Sequence, residues 1–159
     1  MSSTVGARLG LIGVAAGGSA ALLLAAFGFE YIGGLAPCQM CIWQRWPHAA
    51  AIAFGVLAFL LPGAARWIAV LGLLAALTTA GIGVFHAGVE WGFWEGITAC
   101  AGGGDVGSLS STDLMAQIMD APLVRCDQVP WSLFGISMAG WNALVSFFLA
   151  GLWLQAVRA

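Results

Sequence analysis

Charge is what this sequence has least of. Its 159 residues hold five Lys or Arg and seven Asp or Glu, 8% in all, where a typical globular protein carries roughly 25%. Lysine is absent, so every cation is an arginine. So few charges cannot coat a water-soluble fold of this size, and a soluble globular domain is disfavoured. A formal net charge of −2 leaves no basic stripe to neutralise phosphates, which disfavours nucleic acid as a partner. Short alternating apolar segments between turns are also missing, and four strands could not close, so a membrane barrel is disfavoured. What is abundant is apolar surface: 61% of residues are hydrophobic, against about 45 to 50% in an ordinary soluble domain. A small, single-domain, all-helical membrane protein is the expectation.

The apolar runs predict four spans. About 20 apolar residues of helix cross a bilayer core of about 30 Å. Leu9 to Phe29 and Trp67 to Phe85 supply 21 and 19 residues, and Leu133 to Val157 supplies 25. Trp46 to Leu61 has only 16 and must borrow Ile42 to Arg45, so spans are expected over 9–29, 42–61, 67–85 and 133–157. Residues 9–29 exceed the apolar core of a signal peptide and are expected to be retained. Gly17, Gly18, Gly72, Gly81, Gly83 and Gly140 suit close helix approach in lipid. Arg8, Arg66 and Arg158 fall on one side of the spans, which predicts both termini cytoplasmic. The second loop on the other side carries six acids and Arg125. Within it, Leu114, Met115, Ile118 and Met119 recur at helical spacing, predicting a short amphipathic helix over 108–121.

Cysteine is sparse too, but its placement is not random. Cys38, Cys41, Cys100 and Cys126 all fall in the two loops expected on the non-cytoplasmic side, where disulfides persist. They form a tight C-x-x-C and a distant couple. C-x-x-C serves zinc, c-type haem or thiol redox chemistry. Haem attachment would need a histidine where Ile42 stands. Thiol exchange is favoured, with structural disulfides and a metal site as the alternatives, and no metal is expected. Thiolate is the attacking form, and a helix start just after Cys41, with Pro47 in its first turn and Arg45 four residues on, would favour that form at Cys41. Arg45 would otherwise serve as an interfacial anchor.

The run Pro37-Cys38-Gln39-Met40-Cys41-Ile42-Trp43-Gln44-Arg45, then Cys100, then Arg125-Cys126-Asp127 with Trp131 and Phe134-Gly135-Ile136-Ser137-Met138, resembles the disulfide bond formation protein B family, DsbB. Vitamin K epoxide reductase-like proteins share the bundle and chemistry, but their C-x-x-C comes late in the chain. The resemblance implies a protein of the bacterial inner membrane that reoxidises a periplasmic, thioredoxin-fold oxidase of the DsbA type and passes electrons to ubiquinone or menaquinone. It implies that the partner attacks Cys100, that Cys126 is the mate of Cys100 and exchanges with Cys38, and that Cys41 faces quinone. Arg45 matches the family's quinone-site arginine, and His86 falls where a histidine often lies near the ring. Gln44 stands where some members have an acid. DsbA-type oxidases sit near about −120 mV, so an ordinary disulfide at about −220 mV faces roughly 4.6 kcal/mol uphill per pair transferred. A terminal acceptor must therefore pull the sequence forward.

Overall fold

A computed structural model describes residues 3–96, 110, 112, 115 and 124–159. Among these, four long helices dominate: α1 (Ser3–Tyr31), α2 (Gln39–Leu60), α3 (Ala65–Glu90) and α4 (Met138–Arg158). A single 3-10 turn, Pro62–Ala64, joins α2 to α3. Helices α1, α4 and the continuous Pro62–Glu90 unit are long and apolar enough to cross a membrane. Helix α2 differs because Gln39, Gln44, Arg45 and His48 crowd its first turns.

The helices pack in ring order α1, α2, α3, α4 and back to α1. Small residues set the spacing, as expected where backbones must approach closely without a hydrophobic drive between helices. A Cβ added at Gly72 would lie 2.5 Å from the ring of Trp153, which is fully buried. One at Gly18 would meet Leu149 at 2.5 Å, and one at Gly83 the backbone of α4 at 3.1 Å. Gly140 of α4 is closed off by Ile136, just before the helix. Gly17 and Gly81 meet nothing within 4 Å, so those two are not packing positions.

Two sequence expectations need correction, and a third falls outside the described residues. Helix α2 begins at Gln39, not after Cys41, because Cys38 is its N-cap and its sulfur accepts from the Cys41 N–H. Pro47 therefore lies inside the helix, where its ring removes the N–H that would bond four residues back. The last apolar run is not helical from Leu133. Ser132–Leu133 pairs antiparallel with Ile136–Ser137 around Phe134 and Gly135, whose φ values of 53° and 77° make a tight primed turn. Ser137 then caps α4, accepting from the Gly140 N–H at 3.1 Å. The amphipathic helix expected over 108–121 lies outside the described residues, apart from Ser110, Thr112 and Met115.

Arg8 lies beside the end of α4, its Nε donating to the Ala156 carbonyl at 3.1 Å. The two chain ends thus share one end of the bundle. The C-x-x-C, the α3 terminus and the hairpin share the other.

Candidate functional site

The site is built at the N-terminal end of α2. As the N-cap, Cys38 is held with its sulfur over the first turn, and Cys41 follows one turn on. Their sulfurs are 3.0 Å apart and both are thiols, since a disulfide would bring them to about 2.05 Å. The S–H of Cys38 donates to Cys41, and this bond, with burial second, pushes the Cys38 thiol up to about 12. The same bond is the main cause that lowers Cys41 below its ordinary value, helped by the Cys41 N–H on Cys38 and opposed by burial. Cys41 is therefore the more acidic member of the pair. Arg45 is not what activates it: its NH1 bonds Glu30 of α1 at 2.5 Å, and its guanidinium lies 4.9 Å over the Phe27 ring.

His86, near the end of α3, closes on this pair, with Nε2 3.5 Å from the Cys38 sulfur and 3.9 Å from Glu90 Oε1. Glu90 also accepts from the Ser137 hydroxyl, tying the site to the α4 cap. The other ring nitrogen, Nδ1, meets Gln44 Nε2 at 3.0 Å. One backbone group fixes the proton positions. The Met40 carbonyl only accepts, and Gln44 Nε2 lies 3.1 Å from it, so this end of Gln44 is the amide NH2. Its second N–H donates to His86 Nδ1, which leaves the His86 proton on Nε2, facing the Cys38 sulfur. Neutral His86 is thus a hydrogen-bond donor to sulfur, placed where it can stabilise negative charge on Cys38.

Cys126 is brought to the same place. It is buried in one apolar cluster with Cys38, Met40 and Val89, against which Cys41 and Val124 pack. Beside it, Arg125 and Asp127 form an exposed fork, and Arg125 holds the Asp127 carboxyl below its usual range. Cys100 lies outside the described residues. Of the six residues singled out from sequence, Cys38, Cys41, Cys126, Arg45 and His86 converge.

A cavity of about 490 Å³ opens beside the thiols, within the size range of small-molecule sites. Cys38, Cys41, Gln44, Arg45 and His48 line one wall, Leu22, Ala26 and Phe29 of α1 another, and Trp131, Trp141 and Asn142 a third. Two buried nitrogens of the α2 wall, Arg45 Nε and His48 Nδ1, have no hydrogen-bond partner among the described residues. The donor atoms of Cys38, Cys41 and His86 lie within 4.8 Å of one another, a set that a soft metal would also find. The unequal thiols and the adjoining apolar cavity fit thiol redox chemistry better.

Sequence reasoning passed over Glu90, His48, Thr79 and Asn142, and treated Gln44 only as a departure from a pattern. The available signal was their position. His48, Thr79 and Asn142 are polar side chains inside apolar spans, where such residues mark functional sites.

The family model for disulfide bond formation protein DsbB matches residues 8–156. Among curated relatives, the disulfide bond formation protein B of Verminephrobacter eiseniae is 36% identical over 148 residues, covering 87% of this chain and 79% of its own. That of Pasteurella multocida is 30% identical over 151 residues, covering 88% and 83%. Disulfide bond formation protein B 2 of Pseudomonas aeruginosa is 31% identical over 146 residues, covering 85% and 81%. No solved structure matches. With the thiol pair capping α2 and the match running nearly end to end, the chain belongs to the DsbB family of membrane disulfide bond formation proteins.

Proposed function

We propose that this protein is a quinone-coupled thiol:disulfide oxidoreductase that reoxidises a periplasmic oxidase of the DsbA type. The whole chain acts as one membrane domain with α2 as the fourth span, in the bacterial inner membrane, with both termini cytoplasmic. The shared end of Arg8 and α4 supports that topology, since the arginine-rich side is the cytoplasmic one.

Electrons travel in pairs. The partner's dithiol attacks the Cys100–Cys126 disulfide at Cys100, and resolution of the mixed disulfide leaves the partner oxidised and Cys100 and Cys126 as thiols. The Cys126 thiolate then attacks Cys38 of the Cys38–Cys41 disulfide, and Cys100 resolves the new bond, regenerating Cys100–Cys126 and releasing Cys38 and Cys41 as thiols. His86 Nε2–H stabilises the charge on Cys38 during this exchange. Quinone, when bound, accepts the two electrons and two protons that convert this dithiol back to a disulfide.

The observation that carries the reading is the cavity beside the unequal thiol pair. Cys41, the more acidic member, lines it. The buried Arg45 Nε–H is a donor without a partner, suited to a ring carbonyl. The apolar α1 wall and the aromatic rings of Phe29, Trp131 and Trp141 suit a flat, lipid-soluble ring. Inert stapling disulfides are a poorer fit, because Cys38 and Cys41 line a cavity within the size range of small-molecule sites.

The test mixes purified protein with a reduced DsbA-type oxidase and a soluble quinone, following partner thiols and quinone absorbance together. One quinone reduced per partner disulfide formed is expected. Partner oxidation with an unchanged quinone spectrum would remove the quinone from the mechanism.

A further inference from the structure

Resting on the quinone reading above, we propose that His48 is a second ring contact in the cavity: an acceptor that takes the O–H of the reduced ring, opposite in sense to the Arg45 donor. The Met40 carbonyl fixes the proton positions of this network as well. Because that carbonyl holds the NH2 end of Gln44, the oxygen of Gln44 faces Asn142 at 2.6 Å, and the Asn142 atom there must be its NH2. The NH2 of Asn142 also reaches the Thr79 hydroxyl at 3.2 Å, while Thr79 donates its own O–H to the Gln44 backbone carbonyl.

Asn142 Oδ1 is left as the acceptor, and His48 Nε2 lies 2.8 Å from it. Nε2 therefore carries the His48 proton, and Nδ1 of the neutral ring holds only a lone pair. His48 is 4% exposed and is one of the residues that line the cavity, and its buried Nδ1 has no partner among the described residues. A bare acceptor in such a wall repels a carbonyl and attracts a hydroxyl. Quinone has only carbonyls to offer, whereas its two-electron product has two hydroxyls. Arg45 Nε–H and His48 Nδ1 together thus match both forms of one ring, and Asn142 and Thr79 act as positioning residues that keep the His48 lone pair available.

The experiment measures equilibrium binding of a short-chain benzoquinone and of its quinol to the full chain, by quenching of the cavity tryptophans. Cys41→Ala is present throughout to prevent electron transfer. In His48→Gln the amide nitrogen keeps the Asn142 bond but nothing replaces Nδ1, so the quinol Kd should rise roughly 3- to 10-fold while the quinone Kd holds within about 2-fold. In His48→Asn the amide oxygen falls near the Nδ1 position, and quinol affinity should return toward its original value. If His48→Gln leaves both constants unchanged, or weakens both equally, His48 only shapes the wall and the proposal fails with the quinone site intact. If the chain with His48 binds neither ring form, the quinone reading itself falls, and this inference with it.

Discussion

Replacing Gln44 by leucine tests the claim that one amide organises the whole site. Leucine fills similar volume but removes the donor to His86 Nδ1 and the acceptor for Asn142 Nδ2, which link α2 to α3 and to α4. Interhelical hydrogen bonds in membrane proteins average about 0.6 kcal/mol and reach about 1.7. Loss of these two should therefore cost about 1 to 3.5 kcal/mol, the upper end applying because Gln44 is 6% exposed and water cannot replace it readily. Denaturant titration in mixed micelles reads this cost. A second consequence is chemical. Without Gln44 the His86 Nδ1 loses its donor and the proton is no longer confined to Nε2, so exchange at Cys38 loses its enforced donor. A neutral hydrogen bond contributes about 0.5 to 1.5 kcal/mol, so the Cys126-to-Cys38 step should slow roughly 2- to 12-fold. Nitrogen-15 spectra of the histidine ring report the tautomer directly. A proton already on His86 Nδ1 in the unaltered protein would refute the deduction from the Met40 carbonyl, as would a Gln44→Leu variant that loses neither stability nor exchange rate.

Arg45→Lys keeps a cation for Glu30 but loses the Nε–H and the planar fork, and should lower quinone-dependent kcat/KM roughly 10- to 150-fold while partner exchange survives; unchanged quinone kinetics would leave Arg45 as an interfacial anchor. Iodoacetamide at pH 8 should modify Cys41 well before Cys38. With Cys38 pushed to about 12, only about one molecule in ten thousand carries its thiolate there, whereas the lowered Cys41 ionises more readily than an ordinary thiol; equal labelling by mass spectrometry would contradict the assigned roles. Cys126→Ala should accumulate a partner adduct on Cys100, seen on non-reducing gels, and an adduct found only on Cys38 would reverse the order of the two pairs. Gly72→Leu drives atoms into the buried Trp153 ring and should destabilise the bundle by about 1 to 3 kcal/mol, read as loss of thermal stability in detergent.

The sequence by itself determined the solvent this protein lives in. Charge at 8% and apolar runs of helical length leave no other way to satisfy the backbone than helices packed in lipid. It also anticipated that Cys38, Cys41 and Cys126 meet at one end of the bundle, with the C-x-x-C at a helix start, because spacing and sidedness are local or additive properties. The tertiary structure decided what hydropathy does not encode. Where α4 begins depends on two positive φ angles at Phe134 and Gly135, inside a run that reads as uninterrupted apolar chain. That Arg45 spends its charge on Glu30, that Cys38 rather than Arg45 activates Cys41, and that Gln44, Thr79, Asn142 and the two histidines share one network all depend on how the helices are rotated against one another. Hydrogen bonds act over about 3 Å, whereas a helix turned by one residue moves its side chains through 100°. An apolar run tolerates that rotation; the proton positions of His48 and His86 do not.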